Sequence, residues 1–451
     1  MRRYTKYKAM NLPWISEIPA HWEIRRNKNI FTEMKAEVGE RSSDYTLLSL
    51  TLNGIIPRDM DAGGKFPSDF GKYKIVKKGY MAFCLFDIDE TPRTVGLSNY
   101  DGMLTGAYTI MQVSNINPRY VFYYYLALDN GKQLKPLYKG LRKTINIDTF
   151  QSTKIPVPPC EEQDQIVRFL DWKVSDINRL INIKRREIER LKRLRKAVER
   201  KVLGNGLKKD VSLQQTGCRF LGDIPSHWDL VPLCAIAKEK SICNCSELQL
   251  LSVYLDDGVI PFSDRTEKRT NATSKDLSKY QRVDAGDFVL NNQQAWRGSV
   301  GVSFTTGIVS PAYIVLSMND RMGSRFANYL LRSQCMVDQY LVNSKGVGSI
   351  QRNIYWCALK RVLVPIPPID EQDQIVRYLD EQTSKFEAII STRIQQIAKL
   401  EELKTKLIAD VVTGKIDVRG IEIPEYEYTA EESAIDSEED TDDLDEGADD
   451  E

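Results

Sequence analysis

Apolar residues recur three and four positions apart along two long stretches of this chain. In the first they fall at Leu170, Val174, Ile177, Ile181, Ile188, Leu191 and Val198. In the second they fall at Leu379, Phe386, Ile390, Ile397, Leu400 and Leu407, with Thr383 filling the one polar slot. This spacing is a coiled-coil seam, so the pattern predicts two long helices, over 161–204 and 370–414. Prolines at 158–159 and 367–368 block extension backward, while Gly204-Asn-Gly206 and Gly414 stop the helices. About 40 residues at 1.5 Å each makes either helix roughly 60 Å long. Ahead of each helix lie about 150 residues of a different character, with short alternating strands and many turns. Tyr45–Leu52 followed by Asn53-Gly54 predicts a strand and a hairpin turn. Shorter helical patterns occupy Tyr120–Leu128 and Arg325–Arg332.

The two stretches belong to one internal repeat. Residues 161–171 read EEQDQIVRFLD and residues 370–380 read DEQDQIVRYLD, nine of eleven positions being identical. Ile18-Pro-Ala-His-Trp22 matches Ile224-Pro-Ser-His-Trp228, and Ile155-Pro-Val-Pro-Pro159 matches Val364-Pro-Ile-Pro-Pro368. Asn53-Gly-Ile-Ile-Pro57 and Asp257-Gly-Val-Ile-Pro261 match in the same order, as do Lys139-Gly140 and Lys345-Gly346. One module is therefore used twice, a mixed α/β region followed by a long helix. The simplest packing sets the two long helices antiparallel against each other, with a globular region at either end and a pseudo-two-fold axis between them. The alternative is that each helix folds back on its own module.

Charge changes the picture. The formal net charge is zero, but 15 Asp or Glu and no Lys or Arg lie between Glu425 and Glu451. The remainder carries 63 basic against 48 acidic residues, a net charge of +15. A basic body with an acidic tail fits an anionic partner such as nucleic acid. The tail is expected to be disordered from about residue 425, because it cannot bury enough apolar surface to offset the cost of ordering. Mean hydropathy is −0.39 and no apolar run of about 18 residues occurs, so no membrane helix is predicted. The first eight residues are basic with no apolar core behind them, and eight scattered cysteines suit a reducing compartment. A cytoplasmic protein is expected.

No catalytic constellation stands out. The only two histidines, His21 and His227, sit in the repeated Ile-Pro-x-His-Trp turn, where a structural role is the better reading. Cys243-Asn-Cys245 lacks a second pair or a histidine at metal spacing, so no metal site is expected. Gly414-Lys415 lacks the glycine a phosphate loop needs five residues earlier, where Ala409 stands. Gly346-Val-Gly348 is half a dinucleotide fingerprint, and Glu402-Leu-Lys404 lies on a helix where such pairs are routine. Signals for DNA contact are stronger. Asn291, Asn292, Gln293, Gln294 and Arg297 crowd one loop beside Trp296. Asn and Gln can bond bidentately to adenine, and Arg to guanine, in the major groove. The matching loop, 85–96, shares only Arg93 and Gly96 with it. A second recurrent loop holds Lys139, Arg142 and Lys143 in the first copy and Lys345 and Arg352 in the second, beside glycines that suit phosphate contact. The competing reading is that these loops are solvated strand connections. The stretch Lys184–Lys201 carries ten basic residues against three Glu, which suits DNA contact and a solvated or partner-facing helix surface equally well.

These motifs, in this order and present twice, resemble the specificity subunits of type I restriction–modification enzymes. The features that carry the resemblance are the Ile-Pro-x-His-Trp turns, Pro-Pro followed by Glu-Gln-x-x-Ile at 158–166 and 367–375, Asn-x-x-x-Ala-Trp-Arg-Gly, Gly307-Ile-Val-Ser-Pro-Ala-Tyr313 and Asp410-Val-Val-Thr-Gly-Lys-Ile416. The resemblance covers about residues 1–420; the acidic tail departs from the family's usual short ending. It implies an α+β architecture, with target recognition domains at 1–160 and 205–369, long helices at 161–204 and 370–414, and a C-terminal extension at 415–451. The expected shape is a pseudo-two-fold dumbbell on two antiparallel coiled-coil helices. Each recognition domain would read one half of a bipartite, asymmetric site on double-stranded DNA. The helix pair would set the spacing and dock two methylation subunits, with restriction/translocase subunits completing the complex. S-adenosylmethionine, ATP and Mg are then expected on those partners and no cofactor in this chain, which would be non-catalytic. A lone nuclease or methylase would need a catalytic motif. A stand-alone DNA-binding protein or coiled-coil scaffold outside restriction is the other alternative, and a scaffold would leave the basic body and the amide–Arg loops without purpose.

Overall fold

The computed structural model describes residues 2–52, 54–58, 70–138, 143–208, 210–264, 276–347 and 351–432. Its seven helices among these residues are α1 (Pro118–Asn130), α2 (Ile147–Ser152), α3 (Cys160–Asn205), α4 (Ser324–Leu331), α5 (Gln334–Asn343), α6 (Trp356–Leu359) and α7 (Ile369–Val412). The chain divides into two compact units, one reaching to Glu187 and resuming at Thr392, the other Ile188–Ser391. Both long helices are thus shared, each unit holding half of α3 and half of α7.

In the first unit a four-stranded antiparallel sheet runs in the order Phe31–Met34, Thr109–Val113, Met81–Phe83, Val95–Leu97. Strand Lys154–Val157, just before α3, pairs with Glu23–Arg26. The expected hairpin is present as Leu48–Thr51 against Gly54–Pro57, its Asn53 lying outside the described residues. Asn117 caps α1 by accepting the amides of Arg119 and Tyr120, and Pro118 stands in the first turn, where its missing amide costs nothing. Tyr120, Tyr124 and Tyr125 of α1 are fully buried with Phe83 and Phe150.

The second unit repeats this plan. Its sheet runs Ala237–Lys240, Tyr313–Met318, Phe288–Asn291, Val300–Val302, and Leu363–Ile366 pairs with Asp229–Pro232. A close backbone approach recurs as well. A Cβ on Gly102 would stand 2.3 Å from the Thr46 carbonyl oxygen, and one on Gly307 would stand 2.5 Å from that of Gln249. Only glycine fits either place. The second unit also holds a hairpin, Lys345–Val347 against Gln351–Asn353, whose counterpart around 139–142 lies outside the described residues.

The seam follows the predicted register. All fourteen positions are buried or half-buried, while Leu180, Ile183, Leu194, Ile389, Ile394 and Leu403, which lie off it, are exposed. In the first unit the Lys404 ammonium donates to Asn178 Oδ1 at 3.2 Å and Arg393 meets Glu187 at 2.8 Å. Positions rise along α3 as they fall along α7, so the two halves run antiparallel. In the second unit Val198 and Val202 pack in one core with Ile375 and Leu379, and Arg195 faces Glu387 at 3.9 Å, again antiparallel. Gly206 and Gly414, with φ of +71° and +75°, end the helices.

The repeated His-Trp turns meet these helix ends. His21 bonds Glu162 at the start of α3, and His227 bonds Glu371 at the start of α7, each at 2.7 Å. A Cβ on Gly414 would stand 3.2 Å from the Trp22 ring, and one on Gly206 would stand 3.2 Å from that of Trp228. Each turn therefore locks the first turn of one long helix beside the last turn of the other, the structural role expected of the histidines.

One expectation is corrected. Residues 425–432 are not a disordered lead into the tail but run as an extended strap along α3, held by polar side chains of that helix. Composition misjudged them because the segment needs no apolar surface: its backbone is bonded by α3 and its carboxylates are neutralised by Arg185, Arg186 and Lys404. Residues 433–451 lie outside the described residues.

Candidate nucleic-acid interface

In the second unit, strand Phe288–Asn291 leads into a 3₁₀ turn at Ala295–Arg297, ended by Gly298 at φ +106°. Asn291 Oδ1 accepts the Gln293 amide at 3.0 Å, and the Trp296 indole donates to the Gln293 carbonyl at 2.8 Å. These bonds shape the loop so that Gln293, Gln294 and Arg297 are exposed while Ala295 is buried. The Arg297 guanidinium lies over the Trp296 ring, 4.8 Å from its centroid, which limits its freedom while leaving its donors outward.

The second recurrent segment arrives at the same edge. Ile354 donates its amide to the Asn292 carbonyl at 2.9 Å, which ties the Lys345–Asn353 hairpin to the amide-rich loop. Lys345 and Arg352 on that hairpin are exposed. Asn292 and Asn353 carry buried side-chain oxygens that have no hydrogen-bond partner. Such acceptors cost about 1–3 kcal/mol each while unmet. The edge thus gathers Asn291, Asn292, Gln293, Gln294, Arg297, Lys345 and Arg352, all seven residues singled out in this copy.

The first unit builds the same edge on the same bond, with Ile145 donating to the Leu85 carbonyl at 2.8 Å. Its side chains differ. Asp89 accepts from the Tyr138 hydroxyl at 2.8 Å and pairs with Lys135 and Lys143 at 3.3 and 3.5 Å. The Tyr138 bond first, and the two lysines after it, hold its carboxyl below the usual carboxylate range. Lys143 also reaches Glu90 at 3.3 Å, and that bond foremost raises its pKa. Arg93 turns away from the edge: it bonds buried Asp129 at 3.1 Å and Asn130 at 2.8 Å, with Thr94 donating to Asp129 as well. It anchors the loop to α1. Lys139 and Arg142 lie outside the described residues. Sequence reasoning missed Tyr138 and Asp89, which no motif marked, and missed the anchoring of Arg93, which its alignment with Gly96 could not distinguish from exposure.

Among the described residues no group of three or more His, Cys, Asp or Glu could hold a metal ion, and the cysteines are free. No helix among them is long and apolar enough to cross a membrane.

Two copies of one α+β module, each presenting a variable loop edge on a shared frame, define a duplicated recognition protein. Comparison with known proteins gives the family. The model of the type I restriction modification DNA specificity domain matches residues 84–191 and 238–399. A putative type I restriction enzyme MjaX specificity subunit from Methanocaldococcus jannaschii is 25% identical over 428 residues, covering 90% of this chain and 96% of that protein. The MjaVIII specificity subunit of the same organism is 25% identical over 289 residues, 60% of this chain and 64% of its own length. A solved chain from a study of complex assembly and conformational transition of the type I restriction–modification system has the same fold, with a TM-score of 0.61 at 15% identity over 88% of this chain and 99% of its own. The chain belongs to the type I restriction modification DNA specificity family and is a specificity subunit, whose work is DNA sequence recognition.

Proposed function

We propose that this chain is the non-catalytic, sequence-reading subunit of a cytoplasmic type I complex, its two modules acting as target recognition domains for the halves of a bipartite, asymmetric site on double-stranded DNA. The observation that carries this reading is the contrast between matched frames and unmatched edges. The bond from Ile145 to Leu85 recurs as that from Ile354 to Asn292, yet one edge carries Asp89 and Glu90 where the other carries Gln293, Gln294 and Arg297. Equal frames with unlike side chains fit two unlike half-sites. On the second edge Arg297, braced by Trp296, suits guanine O6 and N7, and Gln293 and Gln294 suit adenine N6 and N7. Lys345 and Arg352 suit phosphate, which fixes register and makes binding salt-dependent. On the first edge Asp89 and Glu90 can accept from cytosine N4, with Lys143 beside them.

In this reading α3 and α7 form an antiparallel coiled coil between the recognition domains, giving a dumbbell with a pseudo-two-fold axis. The pair sets the distance between the half-sites and docks two methylation subunits. Those partners hold S-adenosylmethionine, and ATP-driven restriction/translocase subunits use ATP and Mg, so this chain supplies position and they supply chemistry. A heptad inserted after Lys192 adds about 10 Å to α3 while keeping its seam in phase. Methylome sequencing of a host carrying that variant and its methylation partner is expected to show both half-sequences retained and the spacer changed, by roughly three base pairs at about 3.4 Å each. A folded variant that methylates with an unaltered spacer overturns the ruler.

A further inference from the structure

Helix α3 carries a row of polar residues that DNA reading does not use. Ser175, Asn178 and Asn182 are spaced three and four apart and are 2%, 5% and 4% exposed, although they lie off the apolar seam. The strap lies over all three, and Lys404 of α7 also donates to Asn178 Oδ1 at 3.2 Å. Ser175 Oγ donates to the Glu427 carbonyl at 3.1 Å and accepts the Thr429 amide at 2.7 Å. Asn178 donates to the Thr429 carbonyl at 3.2 Å. Asn182 donates to the Ala430 carbonyl at 3.0 Å and accepts the Glu432 amide at 3.1 Å. These five bonds all go to backbone, so they read an extended strand whatever its side chains.

Charge supplies the selectivity at one end of the row. Arg185 reaches Glu431 at 2.8 Å and also donates to the Glu432 carbonyl, Lys404 of α7 pairs with Glu431, and Arg186 pairs with Glu432. Two adjacent carboxylates thus meet three cations drawn from both long helices. The repeat shows that the row is dedicated. At the corresponding offset of 209, α7 keeps the serine, as Ser384, but carries Glu387, Ser391 and Ile394 in place of Asn178, Asn182 and Arg185. A row needed merely to pack a helix pair would have recurred with the rest of the module.

We infer that this face of α3 is a binding site for an extended peptide with two adjacent carboxylates near its C-terminal end, filled in cis by Glu427–Glu432, so that the strap closes the site to acidic peptides presented in trans. A cis occupant lowers the apparent affinity for a competitor by the fraction of time the site is open. Weakening the strap's carboxylates therefore opens the site, and removing the row destroys it. The inference is independent of DNA reading and fails or stands without it.

The full-length chain tests it by two readouts. In amide hydrogen exchange, the Thr429 and Glu432 amides of the wild-type chain are expected to exchange at least about tenfold more slowly than in a free peptide of residues 421–437, and to lose that protection in Glu431→Gln/Glu432→Gln. In fluorescence anisotropy, the labelled 421–437 peptide is expected to bind the Glu431→Gln/Glu432→Gln chain about tenfold or more tighter than wild type. Adding Asn178→Ala and Asn182→Ala to that variant abolishes the binding, and alanine suits a helix, so the fold is retained. Free-peptide exchange rates in the wild-type chain overturn the inference. So does a peptide that binds all three chains alike, or one that fails to bind the opened chain.

Discussion

The two units share a backbone plan and fill it by opposite means. In the first, Asn27 lies fully buried, donates to the Phe150 carbonyl at 2.7 Å and accepts the Tyr125 hydroxyl at 2.7 Å. Phe31, Phe83, Tyr125 and Phe150 pack edge-on or tilted against one another, with ring centroids 4.9–5.9 Å apart. In the second, the matching positions are Leu233, Ala237, Leu290, Leu331 and Leu359, all buried and apolar. The frame does not depend on which filling is used, since Asn27 takes a backbone bond from its amide to Thr153 and Leu233 takes the same bond to Val362. A hydrogen-bonded polar pair and an apolar pair are near-equivalent when both partners change together, whereas half a pair leaves a buried group unmet. The lesson is that the module conserves backbone connections and lets each core choose its own chemistry.

The largest effect that would break this comparison is half a swap. Leu233→Asn buries an amide with no partner and is expected to destabilise the second unit by about 2–4 kcal/mol, read by hydrogen exchange in that unit alone. Asn27→Leu should cost the first unit a comparable amount by orphaning the Tyr125 hydroxyl and removing one of the two donors to the Phe150 carbonyl, which keeps the Thr153 amide at 3.2 Å. Adding Tyr125→Phe should return about 1 kcal/mol of it. Strict additivity of the two changes would show that the pair is not coupled.

The edges sharpen the comparison at the level of function. Arg297→Ala with Gln294→Ala is expected to relax the half-site read by the second unit, each good bidentate contact being worth about 1–3 kcal/mol of discrimination, and to leave the other half-site intact. Methylome sequencing that shows both halves blurred, or neither, removes this loop from recognition.

The helix-start carboxylates differ more gently. Glu162 is met by His21 at 2.7 Å, the Trp22 indole at 2.9 Å and the Tyr4 hydroxyl at 2.6 Å, and burial with that last bond lifts the Tyr4 phenol far above its ordinary range. Glu371 is met by His227, while the Trp228 indole nitrogen is buried without a partner. Glu162→Gln is therefore expected to cost about 2 kcal/mol and Glu371→Gln about 1 kcal/mol or less, from unit-resolved exchange. Equal losses would mean that the Tyr4 and Trp22 bonds add nothing.

The smallest effect concerns pH and the strap, which among the described residues only the first unit possesses. Burial pushes the Glu431 carboxyl up, but Lys404 and Arg185 outweigh it and leave the pKa below the ordinary glutamate value. A lowered pKa in the seated form stabilises the strap at and above the ordinary glutamate pKa and loses that contribution as pH falls through the lowered value. Protection of the Thr429 amide is thus expected to survive mild acidification and to fade only below the ordinary glutamate range. Loss of protection at or above that range would remove Glu431 as an anchor.

The seam at Leu170–Val198 and Leu379–Leu407, the helix stops at Gly206 and Gly414, the helical pattern at Tyr120–Leu128 and the twofold module were legible in the sequence. Each is a local pattern of spacing and residue type, and duplication let one copy check the other. The recurrent loops were legible as candidates for the same reason. Tertiary structure alone decided the rest. It brought the 291–297 loop and the 345–353 hairpin to one edge through a single bond from Ile354 to Asn292. It turned Arg93 inward onto Asp129 and left Arg297 outward on Trp296. It also seated an acidic segment that composition had assigned to disorder. Apart from Arg297 resting on its neighbour Trp296, such outcomes depend on partners 36 to 252 positions away in the chain. A residue's type states what bonds it can make, while only the folded chain determines which partner stands within reach.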